Sequence, residues 1–281
     1  MLEFGAQLDA IQRSFFEASP ALVLGRNTRS KSLVSLELWK QMCEIGRRMY
    51  DRQFCAANEG NLSCRLSDDE VLCTPTLHCK GFLQPDDLCT VDLEGNQLSG
   101  NKRRTSEVLL HLEIYRQRPD VRAVVHCHPP HATAFAVARE PIPMGVLPEP
   151  EVFLGEVPLA PYKRPGTQEF AETIVPFVHK ANTIILCNHG TVSYAENIEH
   201  AFWMTEILDA YCRILLNARQ LGRVNWFTPK ENRELLDLRL QWGFEDPRIA
   251  AGTPDEKLAD HPVSSKFWRD LGAERRAFPR S

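Results

Sequence analysis

Residues 121–131 read Val-Arg-Ala-Val-Val-His-Cys-His-Pro-Pro-His, and this stretch sets the expected position of a functional site. The apolar run before His126 predicts a buried β-strand, which cannot continue through the two prolines after His128. Because residues i and i+2 of a strand point to the same face, His126 and His128 should converge, with Cys127 turned to the opposite face. The pair would then lie at a strand end, where open α/β folds bind ligands. A His-x-His pair alone is also compatible with ordinary polar positions.

A third histidine follows a second apolar run. Residues 183–187 read Thr-Ile-Ile-Leu-Cys, which predicts a buried strand, and Asn188, His189 and Gly190 end it as a turn. His189 is therefore expected at the tip of a strand, as the first pair is.

The segment Thr105-Ser106-Glu107 predicts the start of a helix that runs to residue 117, with Pro119 just beyond its end. The unpaired N–H groups of a helix start favour anions, so Thr105 and Ser106 have two interpretations: ordinary N-caps, or a pair that binds phosphate. Glu107 is either an acidic residue that suits the helix dipole or a functional carboxylate.

Convergence of these residues would create a metal site. Three imidazoles and a carboxylate are typical ligands of Zn²⁺ or another divalent transition metal. In this hypothesis His126, His128, His189 and Glu107 bind the metal, and Glu107 leaves it when substrate arrives and acts as a base. The alternative is a hydrogen-bonded core histidine at each position, which is harder to reconcile with positions that all lie at strand or helix ends.

Composition excludes several classes of function. The 281 residues carry a net charge of −4, which argues against a protein that binds nucleic acid electrostatically. Nine cysteines are scattered along the chain without a Cys-x-x-Cys pair, which predicts reduced, mostly buried thiols rather than a disulfide framework or a zinc ribbon. Neither a signal peptide nor an apolar run long enough for a bilayer is found, so the expected location is cytoplasmic, with no membrane partner.

Three regions are predicted: an amphipathic helix and linker (1–31), a catalytic domain (32–225) and a C-terminal extension (226–281). The helix, at residues 1–20, either docks on the protein itself or a sister subunit, or is captured by a partner such as a protein shell that encloses enzymes. A linker is expected at 19–32. The extension is expected to pack on the domain or a neighbour. Helices are predicted at 35–52, 131–138, 167–180 (interrupted by Pro176) and 198–221, and strands at 70–74, 88–92 and 157–160, with an antiparallel meander after the Gly60-Asn61 turn.

The chain resembles the class II aldolase/adducin superfamily, in particular L-fuculose-1-phosphate aldolase and its relatives. The resemblance spans roughly residues 35–220 and rests on these motifs, in order: Gly60-Asn61-Leu62-Ser63, Thr74-Pro75-Thr76, Thr105-Ser106-Glu107, the 123–131 stretch, Ala160-Pro161-Tyr162 and Asn188-His189-Gly190.

This resemblance implies a three-layer α/β/α domain with a mainly antiparallel central sheet. It also implies a ring-shaped homotetramer with active sites between subunits, and a sugar-phosphate substrate. The metal, zinc in the aldolases, would be held by the three histidines and Glu107, and would stabilise the enediolate left when a ketose 1-phosphate is cleaved to dihydroxyacetone phosphate and an aldehyde. The implied phosphate site consists of Gly60, Asn61, Thr76, Thr105 and Ser106.

Three positions depart from the family pattern. Leu77 stands where fuculose-phosphate aldolases have a glycine, Leu147 replaces a catalytic tyrosine, and Pro165 stands where an aromatic residue is expected. Tyr162, His131 or a residue of the extension would then supply the missing proton transfer. Related reactions therefore stay open: a pentulose-phosphate 4-epimerase, a methylthioribulose-phosphate-type dehydratase or, least expected with the metal residues intact, an adducin-like binding module.

Overall fold

The computed structural model describes residues 28–250 and 252–258. Contacts divide the chain into two units, residues 1–37 and 38–281. Of the first unit, the described residues belong to the start of helix α1. The amphipathic helix predicted over residues 1–20 lies outside the described residues, and the predicted boundaries at 31/32 and 225/226 stay predictions.

The described residues form eight α-helices, two 3₁₀-helices (Lys80–Phe82 and Pro85–Asp87) and eight strands. The helices are α1 (Thr28–Asp51), α2 (Val108–Gln117), α3 (Pro130–Ala138), α4 (Gln168–Glu172), α5 (Ile198–Leu221), α6 (Pro229–Gln241), α7 (Pro247–Ala250) and α8 (Asp255–Leu258), with a single π-helical turn at Pro150–Leu154. The strands are β1 (Asn61–Arg65), β2 (Val71–Cys73), β3 (Cys89–Val91), β4 (Gln97–Ser99), β5 (Ala123–Cys127), β6 (Leu159–Ala160), β7 (Thr183–Leu186) and β8 (Gly190–Ala195).

One sheet contains these eight strands in the order β4-β3-β2-β1-β5-β8-β7-β6. Neighbours are antiparallel except β6 and β7, which are parallel. This confirms the mainly antiparallel sheet and the β1–β2–β3 meander. No helix in the described part of the chain is long and apolar enough to cross a membrane.

Successive side chains of each strand point to opposite faces of the sheet, and helices pack on both faces. On β5, Val124 packs in a cluster with α2 and α4, whereas Ala123, Val125 and Cys127 pack on the other face against α1 and α5. Helix α3 and the remainder of α5 share a third cluster on that second face. The predicted α/β/α layering is therefore present, and Cys127 does turn away from its neighbouring histidines.

Several predicted boundaries were wrong. Helix α1 begins at Thr28, so the last part of the predicted linker, residues 28–32, is helical. The helix expected over 167–180 ends at Glu172 and continues as turns. Strand β8 was missed, although Thr191, Val192, Ser193 and Tyr194 alternate polar and apolar side chains, which was a usable strand signal. The long helix α5 was predicted with its observed limits.

The segment after residue 225 packs on the domain through α6 and the π-helical turn. Arg239 donates to the Val152 carbonyl at 2.6 Å, and Arg248 lies 3.0 Å from the buried Glu151 carboxylate. The segment is thus held to the π-helical turn by one arginine–carbonyl hydrogen bond and one ion pair. The nine cysteines form no disulfide, and seven of them are buried, as expected for reduced thiols.

Candidate metal centre and active site

Three histidines from two loops and one strand meet at one point. His126 is the second-last residue of β5, His128 follows the strand directly, and His189 belongs to the turn between β7 and β8. One nitrogen of each ring lies within 4.8 Å of the others, and the ring centroids are 4.7 to 5.2 Å apart. We call this cluster the histidine face. The structure therefore brings together the three residues predicted as metal ligands.

The outer nitrogens of this face are oriented by neighbours. His126 Nδ1 lies 2.8 Å from the Thr191 carbonyl, which only accepts, so Nδ1 carries a proton and Nε2 is the nitrogen that faces Glu107. His128 Nδ1 lies 3.4 Å from Glu59 Oε2. A metal-binding histidine characteristically has its second nitrogen held in this way.

Each of the three rings has one nitrogen without a hydrogen-bond partner in the described structure. Among the described residues, His126 Nε2, His128 Nε2 and His189 Nδ1 are buried without a hydrogen-bond partner. Buried polar atoms are nearly always satisfied, so three orphaned nitrogens in one cluster indicate a missing ligand. The donor set fits Zn²⁺ or a similar divalent ion.

Glu107, at the N-cap of α2, faces the cluster. Its Oε2 lies 3.2 Å from His126 Nε2, and its Oε1 lies 3.3 Å from His189 Nε2. Burial by itself would raise the pKa of the Glu107 carboxyl, but His126, His189 and the Asn61 amide together hold that pKa well below its usual range. The carboxylate is therefore ionised at neutral pH and can act as a ligand or a base.

Burial and the neighbouring charges also shift the pKa values of the three histidines. Burial, reinforced by the charge of His126, lowers the pKa of His128 to about 4 and that of His189 to about 3. His126 is also buried, yet the Glu107 carboxylate outweighs burial and raises its pKa. Two of the three imidazoles are thus neutral, which is the form that binds metal.

Gly190 gives the histidine face its close packing. A Cβ at this position would lie 2.5 Å from the Cys127 carbonyl oxygen and 2.5 Å from His128 Cδ2. Any side chain there would push His128 or the end of β5. The glycine of the Asn-His-Gly motif is therefore required by close approach.

The predicted phosphate residues lie on three segments that are bonded to one another. Thr105 N donates to the Thr74 carbonyl at 3.0 Å, Thr76 N donates to the Arg103 carbonyl at 2.9 Å, and Leu62 N donates to Thr74 Oγ1 at 3.1 Å. These bonds connect the Thr76 loop to the Thr105-Ser106 segment and to β1, which begins after Gly60. Their phosphate-binding role stays a prediction.

The N-cap interpretation of Thr105 and Ser106 was wrong in detail. Helix α2 begins at Val108 with Glu107 as its N-cap, and Thr105 Oγ1 accepts from Glu107 N at 3.3 Å. Ser106 is exposed. Since Ser106 does not cap the helix, its hydroxyl is free to face a ligand.

Leu77 stands where the resemblance expects a glycine, and its φ is +57°, the left-handed conformation that glycine adopts most easily. Its side chain is 77% exposed. The Thr-Pro-Thr loop therefore holds a leucine in a backbone conformation that favours glycine.

The candidate residues for the missing proton transfer are placed as follows. Leu147 packs against the cluster of α3 and α5. Tyr162 is half exposed and lines a cavity of about 560 Å³ together with Arg139 and Cys187. His131 Nδ1 is bonded to Asp209 at 2.8 Å. None of these contacts assigns the second acid or base.

Sequence reasoning missed three residues around the site. His111 lies on α2 four residues after Glu107, a spacing that places both on one helix face and was a usable signal. Glu59, beside Gly60, contacts His128. Lys80 is 1% exposed and donates to the Asn58 carbonyl at 2.9 Å and to the His78 carbonyl at 2.5 Å. It therefore joins the loop before β1 to the loop after β2, a contact that no local sequence pattern predicts.

The family profile "Class II Aldolase and Adducin N-terminal domain" matches residues 40–216. The chain belongs to the class II aldolase and adducin family. Among curated members, the L-fuculose phosphate aldolase of Methanococcus vannielii is 35% identical over 175 residues, 62% of this chain and 93% of that protein. The 3-oxo-tetronate 4-phosphate decarboxylase of Escherichia coli K12 is 33% identical over 186 residues, 65% of this chain and 87% of that protein.

Solved structures of family members have the same fold. YgbL of Escherichia coli, described as an aldolase, epimerase or decarboxylase, superposes with a TM-score of 0.67 at 31% identity, covering 72% of this chain and 99% of that one. An L-fuculose 1-phosphate aldolase superposes with a TM-score of 0.66 at 25% identity, covering 72% of this chain and 95% of that one. The chain is therefore similar to both aldolases and decarboxylases of one family.

Proposed function

We propose that this class II aldolase family member cleaves a ketose 1-phosphate of the L-fuculose or L-rhamnulose type to dihydroxyacetone phosphate and an aldehyde. The observation that carries the proposal is the histidine face, in which each ring has a buried nitrogen without a hydrogen-bond partner among the described residues and the ionised Glu107 carboxylate lies 3.2 Å from His126 and 3.3 Å from His189. L-fuculose phosphate aldolases among the relatives support the substrate class.

The metal would be Zn²⁺ or another divalent transition metal, held by His126, His128 and His189, with Glu107 as a further ligand. When bound, it supplies a Lewis acid for the negative charge that develops on the ketose fragment. Glu107 is placed to move the proton at the carbon that was cleaved, because its carboxylate faces the same point as the three rings. The phosphate would be held by Gly60, Thr76, Thr105 and Ser106.

Assembly and location are proposed from the resemblance. A homotetramer with active sites between subunits would bring residues of a neighbouring subunit to the open side of the histidine face. The protein would be cytoplasmic, and residues 1–20 would direct it into a protein-shelled compartment. That compartment would confine the reactive aldehyde product. Deleting residues 1–25 should then abolish co-localisation with the shell and preserve turnover.

Decarboxylation of a phosphorylated 3-oxo acid is the second candidate. Two observations favour it: relatives named 3-oxo-tetronate 4-phosphate decarboxylase, and Leu147 in place of the family tyrosine. Aldol cleavage must remove a proton from the hydroxyl that becomes the aldehyde. A departing carboxylate leaves as CO₂ and carries no such proton, so a site without the tyrosine suits it. The stabilised negative charge is of the same kind in both reactions.

The test is a substrate panel of L-fuculose 1-phosphate, L-rhamnulose 1-phosphate, L-ribulose 5-phosphate and 3-oxo-tetronate 4-phosphate. Each is incubated with and without a chelator, with coupled detection of dihydroxyacetone phosphate and direct detection of CO₂. Metal-dependent release of dihydroxyacetone phosphate from a ketose 1-phosphate supports the aldolase. Loss of CO₂ from 3-oxo-tetronate 4-phosphate also leaves dihydroxyacetone phosphate, so triose phosphate together with CO₂ from that substrate, and from no ketose 1-phosphate, replaces the aldolase with the decarboxylase.

A matched pair of variants controls for the metal. His126→Ala should lose bound metal and turnover together. His179→Ala, which alters an exposed histidine bonded to Gln117, should keep both. Full turnover in the chelated wild-type protein would contradict a metal-dependent mechanism.

A further inference from the structure

A chain of four buried hydrogen bonds runs away from the metal centre behind Glu107. Asn61 Nδ2 lies 2.8 Å from Glu107 Oε2, and Asn61 Oδ1 lies 2.6 Å from His111 Nε2. Ser63 Oγ lies 2.7 Å from His111 Nδ1 and 2.9 Å from the Tyr115 hydroxyl. We call Asn61, His111, Ser63 and Tyr115 the buried relay; each is at most 4% exposed.

Chemistry decides the direction of every bond in the relay. The ionised Glu107 only accepts, so Asn61 donates to it and turns its carbonyl oxygen to His111. That oxygen only accepts, so His111 Nε2 carries the ring proton. Burial lowers the pKa of His111 to about 3, so the ring is neutral and its Nδ1 accepts from Ser63. Ser63, having donated its proton, accepts from Tyr115.

The elements make this alignment rigid. Asn61 and Ser63 alternate on β1 with Leu62 and so point to the face that packs against α2, where His111 and Tyr115 are one helical turn apart. Asn61 also lies opposite His126 in the β1–β5 register. One strand and one helix thus hold both the relay and the carboxylate it meets.

We propose that Tyr115, Ser63 and His111 act through Asn61 as positioning residues that hold the Glu107 carboxylate toward the histidine face. The inference deepens the proposed function and depends on Glu107 having the role given there. It also reassigns Asn61: with its amide nitrogen on Glu107 and its oxygen on His111, its side chain serves the carboxylate rather than the substrate phosphate.

The buried relay depends on His111, which bonds to both Asn61 and Ser63. Without the Nε2–H donor, the Asn61 oxygen is buried and unsatisfied, and the amide loses the bond that fixes its orientation. Glu107 would then be held by a donor that is itself no longer fixed in place. The phosphate loops are left in place, so kcat and metal affinity should fall while KM stays the same.

The test compares His111→Leu with His111→Gln, because the glutamine amide can replace the Nε2–H donor. We expect His111→Leu to lower kcat and Zn²⁺ affinity by about 10- to 100-fold, the range for residues that orient metal ligands, with KM and inhibition by inorganic phosphate unchanged. His111→Gln should recover most of both losses. Tyr115→Phe should show a smaller loss in the same direction.

Tyr194→Phe is the matched control, since Tyr194 is equally buried but donates to the Ala181 carbonyl away from the relay. Equal impairment of His111→Leu and His111→Gln at equal loss of stability would overturn the proposal in favour of a packing role. A rise in KM and in the phosphate inhibition constant for Asn61→Leu, with kcat unchanged, would return Asn61 to the phosphate site.

Two readouts separate this proposal from the proposed function. Zn²⁺ titration of the metal-free wild type and His111→Leu needs no substrate. Long-range ¹H–¹⁵N correlation of the imidazoles should show His111 as the Nε2–H tautomer. Failure of every substrate with these two results intact would overturn the proposed reaction alone, whereas an Nδ1–H tautomer would overturn the relay.

Discussion

The two sides of Glu107 differ in how completely their polar atoms are satisfied. On the side of the buried relay, every side-chain donor and acceptor that the chain of bonds needs is present, from Tyr115 to the carboxylate. On the histidine face, three ring nitrogens within the described structure are buried and unpartnered.

The contrast separates what folding completes from what a ligand completes. An unsatisfied buried polar group costs roughly 1–3 kcal/mol, so the relay is stable by itself whereas the histidine face is stabilised when a metal arrives. Glu107 thus lies between the buried relay, whose hydrogen bonds are complete, and the histidine face, which a metal ion would complete. The following predictions test that division.

The largest effect is expected at Glu107 itself. Glu107→Gln keeps the shape of the side chain but removes the base, so kcat should fall by about 10²- to 10⁴-fold in steady-state assays of the substrate that gives turnover. Glu113→Gln, a buried acid on the same helix that is bonded to Arg116 and Gln117, is the control and should retain activity. An active Glu107→Gln enzyme would remove Glu107 from the chemistry.

Gly190→Ala breaks the histidine face and spares the relay. The added methyl group meets the Cys127 carbonyl and His128, so the free energy of unfolding should fall by about 1–3 kcal/mol, as in other overpacked sites. Zn²⁺ affinity should fall as well, while the His111 tautomer measured by NMR stays the same. Unchanged metal binding would show that His128 is not held by this contact.

Titration of His111 isolates the relay. Its pKa is about 3 in the folded protein against 6.5 for the unperturbed group, so below pH 6.5 the unfolded chain binds a proton that the folded chain excludes. Stability therefore falls as the pH falls, by about 1.4 kcal/mol per pH unit for one such group.

Urea unfolding of chelated protein between about pH 6 and about pH 4 measures this slope. His111→Gln has no such group, so its stability should fall less steeply by that amount, whatever its stability at neutral pH. Parallel slopes for the two proteins would contradict a neutral, buried His111.

The smallest effect is expected at the exposed Leu77, in the Thr-Pro-Thr loop. A left-handed residue other than glycine costs roughly 1–2 kcal/mol, and glycine loses about 0.5–1 kcal/mol more entropy on folding. Leu77→Gly should therefore stabilise the protein by up to about 1 kcal/mol in thermal or urea unfolding. Leu98→Gly, at an exposed leucine in strand β4, should destabilise it.

The sequence by itself determined the elements whose signals are local. The apolar run before His126 and the prolines after His128 predicted the strand end, and alternation predicted that Cys127 faces away from them. The limits of α5 follow from its helical periodicity and the Gly222 end. Residue patterns suggested the ligand set, and the family resemblance agreed with it and added the three-layer architecture, which local patterns alone could not supply.

Only the tertiary structure decided what surrounds Glu107. The relay joins residues 46 to 52 positions apart, and no periodicity in either β1 or α2 specifies which side chains meet. The direction of the Asn61 amide depends at once on Glu107, at the N-cap of α2, and on His111 within α2, whereas the family resemblance had suggested a phosphate ligand. Local sequence encodes which face a side chain occupies, whereas the pairing of polar atoms across that face is set when the layers pack and each buried donor must find an acceptor.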